Sequence, residues 1–176
     1  MSYPGALGIV DQALRHLRQS YEAFVAAMLA QHVSATVYRA SDQGGIASGA
    51  VTPIVWTHQA HNEGGCWNAA VPSRLTAPAS GVYLLAASWI MKDHATDGAR
   101  VSLLFRKNGD TYVGGAQDAF PHAAGVSGGS AAVSHVYVAQ MAAGDYFEAL
   151  AFHNEGSNRT LWGGSLYNFG AIARVY

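Results

Sequence analysis

The sequence predicts an all-β domain preceded by a single helix. Three observations carry that expectation. Leu7, Val10, Leu14, Leu17, Tyr21, Phe24 and Met28 follow one another at steps of 3, 4, 3, 4, 3 and 4 residues, the a and d spacing of a coiled-coil seam. After residue 32 the apolar period drops to 2, the alternation of a strand with one buried face. From there on, turn residues recur every 10 to 15 positions with no helical pattern between them, which is the spacing of a sandwich or barrel.

The elements follow in order. Pro4-Gly5 marks a helix start, with Asp11 the cap of a shorter alternative, and the stripe carries the helix over residues 6 to 31. A lone helix cannot cover such a stripe. Residues 1–32 therefore read as a coiled-coil stalk or docking element and residues 33–176 as the head. Thr36-Val37-Tyr38 opens the strands, and Ser41 to Gly49 is a Gly- and Ser-rich loop. Ile54-Val55-Trp56 reads as a strand beginning after Pro53. Gly64-Gly65 breaks the next segment, and Pro78 to Gly81 leads into the β-forming run Val82 to Met91. Ala95 to Gly98 is a loop. Val101 to Arg106 reads as a strand, Asn108-Gly109 is the strongest hairpin signal, and Thr111 to Val113 returns. Gly114 to Ala131 reads as a long exposed loop. Val133 to Met141, Tyr146 to His153 and Leu166 to Val175 complete the strands, and no internal repeat is present.

Composition narrows the function classes. Half of the 176 residues are apolar, 12% are charged and the net charge is −1. So little charge implies a surface partly covered by neighbours. With no basic run, an electrostatic nucleic-acid footprint is not expected. No apolar run reaches the roughly 20 residues that span a bilayer. Ala23 to Ala30 has the length of a signal-peptide core, but the acidic Asp11 and Glu22 upstream and the periodic stripe speak against one. The single Cys66 excludes an intrachain disulfide and an all-cysteine metal site.

One constellation carries a resemblance. Trp56, Asn62, Trp67, Leu75, Gly81 and Tyr83 are spaced much like the signature of the complement component 1q globular head. That family belongs with the tumour-necrosis-factor-like jelly rolls. The chain departs from the pattern in placing Trp and Leu75 where the pattern has Phe, and in one extra residue between Trp67 and Leu75. Leu103 to Gly109, Met141 to Phe147 and Ser165 to Val175 resemble further family segments, so the likeness covers about residues 33 to 176. It implies a ten-stranded jelly roll that assembles as a compact trimer, with the N-terminal helices as a short trimeric stalk. In such a fold these residues specify core and turns rather than a reaction.

Chemistry is sparse. His58 and His61 are three apart, a spacing unsuited to one face of a regular strand, and His135 and His153 stand singly. No metal-binding motif is present, and Asp93, Asp97, Asp110 and Asp118 lack the alternation of a calcium loop. Gly163-Gly164-Ser165 and Gly128-Gly129-Ser130 are not nucleophile elbows. Cys66, near His61 and Asn62, reads as a buried structural cysteine. No catalytic residue, metal or cofactor is expected. The expected recognition surface is the long loop, where Asp118, Phe120 and His122 stand among small residues.

By analogy with knobs of the fold it resembles, the chain is expected to be a non-enzymatic homotrimeric virion protein of a bacteriophage, made in the host cytoplasm and exposed on the particle. It would be a short tail fibre, spike or capsid decoration whose knob binds the host surface, a glycan or protein, or stabilises the particle. Its partners would be itself and capsid or tail proteins. A cellular complement-1q-like adhesin or surface binding module is the alternative.

Overall fold

The computed structural model describes residues 15, 18–22, 32–94, 98–119 and 129–176. The chain divides into Met1–His32 and Val33–Tyr176. In the first unit Arg15 and residues 18–22 are helical, and Arg18 Nε donates to Glu22 Oε1 at 2.8 Å across one turn. Tyr21 is exposed. The other seam residues, Leu7, Val10, Leu14, Leu17, Phe24 and Met28, lie outside the described residues, and so does most of the expected stalk.

In the second unit, twelve strands are described: β1 (Ser34–Tyr38), β2 (Gln43–Ile46), β3 (Thr52–Pro53), β4 (His58–Glu63), β5 (Arg74–Thr76), β6 (Gly81–His94), β7 (Val101–Lys107), β8 (Thr111–Ala119), β9 (Gly129–Met141), β10 (Tyr146–His153), β11 (Arg159–Leu161) and β12 (Phe169–Arg174). They form two antiparallel sheets. The seven-stranded one runs β2-β11-β6-β12-β1-β4, with β9 also on β6, and the five-stranded one runs β3-β10-β7-β8, with β5 on β10. β9 pairs along the length of β6, while β12 and β11 share its other side, at residues 83–88 and 91–92. The core between the sheets holds Trp56, Trp89, Tyr83, Phe105, Phe147 and Leu85, all under 2% exposed.

Several expectations change. Among the described residues the count is twelve rather than ten, because the short segments β3, β5 and β11 pair as separate strands. The strand expected at Ile54-Val55-Trp56 is instead irregular backbone. Ile54 N–H reaches Ala149 O and Trp56 N–H reaches Pro72 O, and the paired residues are Thr52 and Pro53. Pro53 fits there because an edge strand can spare a donor.

The long loop Gly114 to Ala131 is shorter than expected, since β8 continues to Ala119 and β9 begins at Gly129. Gly114 and Gly115, both at positive φ, form a bulge between the pairs Leu104↔Ala116 and Phe105↔Val113. Glycine tolerates that backbone, so pairing resumes beyond it. A Cβ on Gly114 would come 2.6 Å from the Tyr137 ring.

Candidate interaction site

The signature residues act as fold determinants. Asn62 Nδ2 donates to Trp67 O at 3.0 Å, and Trp67 N–H donates to Asn62 Oδ1 at 3.1 Å. The amide thus imitates a strand partner and clasps the turn that contains Cys66. Trp67 Nε1 donates to Pro72 O, and Trp67 bridges to the buried Leu75. Tyr83 is buried and its hydroxyl donates to Ala79 O at 2.7 Å. Gly81 lies where a Cβ would meet Arg174 Nε at 2.6 Å, and Trp56 presses on Gly170, where a Cβ would come 2.6 Å from the ring.

Among the described residues, His58, His61, His135, His153 and Cys66 each have their own partners. A bulge in the β1–β4 pairing sets His58 opposite Tyr38 and His61 opposite Thr36. Both histidines therefore share the outward face, contrary to the regular-strand expectation. His58 stacks on Tyr38 at 5.4 Å, and His61 Nε2 is 2.8 Å from Ser34 Oγ. His153 is buried, with Nε2 at 2.8 Å from Ile46 O and Nδ1 accepting the Glu155 N–H. His135 stacks on Phe105 at 4.8 Å. Cys66 is buried, and burial pushes its thiol up to about 11, far from a nucleophile. Among the described residues no three His, Cys, Asp or Glu side chains converge on a metal position.

Of the expected recognition residues, Phe120 and His122 lie outside the described residues. Asp118 is not a loop residue: it stands on β8 opposite Ser102, with Oδ1 at 3.1 Å from Arg100 Nη2.

The two sheets differ in their outward faces. On the five-stranded sheet, Glu148 Oε2 accepts from Arg106 Nε and Nη2 at 3.1 and 2.7 Å, and its Oε1 accepts from Ser73. Arg100 lies 5.2 Å over Phe152 and Arg74 4.0 Å over Tyr146. Charged side chains thus stand over that sheet, beside Tyr112, which is about half exposed opposite Arg106. The seven-stranded sheet is opposite in character. The register sets Val138 beside Leu84 and Val136 beside Ala86 on β9 and β6, then Ala173 and Ala171 on β12. Val136, Val138 and Leu84 are 60%, 53% and 40% exposed. Phe169 continues the surface toward Tyr38. Charge stands at its margins, as the Lys92–Asp42 pair at 2.7 Å and as Glu63 beside His61.

Sequence reading passed over this face, although a signal was present. In Ala131–Met141 both parities carry apolar residues, Val133 and Ala139 on one and Val136 and Val138 on the other. A strand apolar on both sides is one with two faces to cover.

No protein-family model and no curated protein sequence matches the chain. The fold does match solved structures. The globular domain of zebrafish complement 1qA superposes with a TM-score of 0.56 at 14% identity, covering 82% of this chain and 98% of that one. Eiger TNF from S. frugiperda gives 0.60 at 10% identity, covering 83% and 94%. Murine APRIL at pH 5.0 gives 0.59 at 14% identity, covering 82% and 99%. The head therefore has the complement-1q and tumour-necrosis-factor-like jelly-roll fold.

Proposed function

We propose that the chain is a non-enzymatic assembly and binding module that works as a homotrimer. The observation that carries this reading is the contrast between the two outward faces, one ion-paired and one apolar. Covering a half-exposed valine or leucine contributes about 1 kcal/mol, so Val136, Val138, Leu84 and Phe169 together favour association while the charged face stays in water. A contiguous apolar patch of this kind marks an interaction surface. The occupant is a second copy, since the family resemblance implies a trimer and the N-terminal heptads independently call for self-association. Three copies about one axis would cover all three apolar faces and leave the ion-paired sheets outside.

The setting we propose is a phage virion, with the N-terminal helices as stalk and the jelly roll as an exposed knob for host attachment or particle stabilisation. Heptads joined to a low-charge knob support that arrangement, and capsid, portal or tail genes beside its own would be expected.

Light scattering tests the assembly. The native chain is expected at three times 18.5 kDa. Val136→Asp places a carboxylate in each apolar interface and is expected to give a folded monomer. A native monomer at micromolar concentration, or a V136D mass unchanged from the parent, overturns the reading.

A further inference from the structure

We propose that His58 and His61 make the self-association pH-sensitive, so that the trimer forms near neutrality and separates into folded monomers in mild acid. The inference rests on the homotrimer proposed above and names what regulates it.

Register places both histidines on the apolar face. Val138, Leu84, Ala173, Ser34 and Glu63 stand in one row across β9, β6, β12, β1 and β4. Val136, Ala86, Ala171, Thr36 and His61 form the next row, and Ser134, Ser88, Phe169, Tyr38 and His58 the one after. On a regular β4 only one of the two histidines would lie here. The register shift between Thr36 and Val37 brings both to the outward side.

The apolar strip is too small to be covered on its own. Three strands about 4.8 Å apart and three rows about 7 Å apart make roughly 300 Å² of sheet, against about 800 Å² per partner in a stable interface. A neighbour that covers Val136 and Val138 must therefore reach beyond them. Among the described strands β9 pairs only with β6, so the sheet ends on that side. Toward β11 stands the Lys92–Asp42 ion pair. Across β1 the surface presents Ser34, Thr36 and Tyr38, with no formal charge before Glu63. The uncharged continuation leads to His61 and His58.

Neutral imidazoles fit a covered surface there. His58 stacks on Tyr38 at 5.4 Å, with Nδ1 3.0 Å from Thr57 Oγ1, and His61 Nε2 is 2.8 Å from Ser34 Oγ. Histidine is the side chain whose charge ordinarily changes between about pH 5 and pH 8. Of the neighbouring strands, β1 presents Ser34, Thr36 and Tyr38, and β12 presents Phe169, Ala171 and Ala173. Neither set holds a group that is charged in acid. Glu63, 3.8 Å from His61, is the one carboxylate in these rows. It offsets part of a charge on His61, whereas the row of His58 holds none. In the monomer both rings reach water, His61 being 49% exposed. A covered face must strip that water from a charged ring. The monomer thus takes up protons more readily than the trimer, and by linkage association weakens as pH falls.

Light scattering at one micromolar protein concentration tests the switch. The parent is expected at three times 18.5 kDa at about pH 7.5 and at 18.5 kDa at about pH 5.5, with its strand signal in circular dichroism retained. His58→Gln with His61→Gln keeps polar side chains without the titration and should remain a trimer at both. Each single variant should shift the dissociation to lower pH, His58→Gln by more, since Glu63 serves only His61. A parent that is trimeric at both pH values overturns the switch while the assembly stands. So does a parent that unfolds rather than dissociates, an H58Q/H61Q protein that dissociates with the parent, or a dissociation midpoint unmoved in both single variants. A native monomer at about pH 7.5 removes the assembly and the switch together.

Discussion

Gly170→Ala probes how the signature aromatic sets the core. The substitution adds one methyl at a buried position of β12, whose ideal Cβ would lie 2.6 Å from Trp56 Cζ2 and 2.9 Å from Cε2. Neither atom is the end of a flexible chain: the indole is buried to 1%. Relief requires the strand or the ring to shift by several tenths of an ångström, and such overpacking costs about 1–3 kcal/mol. For a domain of this size that is roughly 3–10 °C in Tm. Trp56→Phe withdraws the crowded part of the ring and also removes Nε1, a buried donor with no partner. The double variant should therefore recover most of the G170A loss, giving a coupling of about 1–2 kcal/mol. Denaturant titrations of all four proteins, at one protein concentration so that assembly is held constant, yield the cycle. A G170A midpoint equal to that of the parent, or strictly additive losses in the double variant, would refute the packing argument.

Two further outcomes are expected. Lys107 first, then Asn108 and the Ala142 N–H, hold the Asp145 carboxyl down at about 2. Because the folded value lies below the ordinary one, the stabilisation is present above the usual carboxylate range and is lost as pH falls through about 2. Asp145→Asn should cost about 1 kcal/mol near neutrality, after allowance for solvent screening. The gap to the parent should close between pH 4 and pH 2, and a gap independent of pH would remove the ion-pair account. Cys66, with its thiol raised to about 11 by burial, should resist alkylation in the native protein at pH 8 and react at once in denaturant. Rapid native labelling would show the Asn62–Trp67 clasp to be open.

Local chemistry was legible in the sequence wherever it depends on neighbours in the chain. Asn108 and Gly109 take φ of 52° and 78° because a tight hairpin demands the left-handed region, and Asn-Gly tolerates it best. The spacing from Trp56 to Tyr83 announced a jelly roll, and the same residues turn out to hold its core and turns. Misreadings arose where a local signal had two meanings. Gly114-Gly115 reads equally as a loop or as a bulge, and only pairing with β7 decides. The spacing of His58 and His61 excludes a shared face on a regular strand, and only the register shift against β1 restores it.

By itself the sequence determined that the head is all-β, where its tight turns fall, that its one cysteine lies within a core motif, and that little of its surface is charged. Periodicity and turn chemistry are short-range, so a single chain read in order displays them. Tertiary structure alone decided which apolar parity faces inward, and that Val136 and Val138 are left on an exposed face beside Leu84. Those facts depend on pairing between residues far apart in the chain, and a shift of one residue in that pairing would turn every side chain to the opposite face.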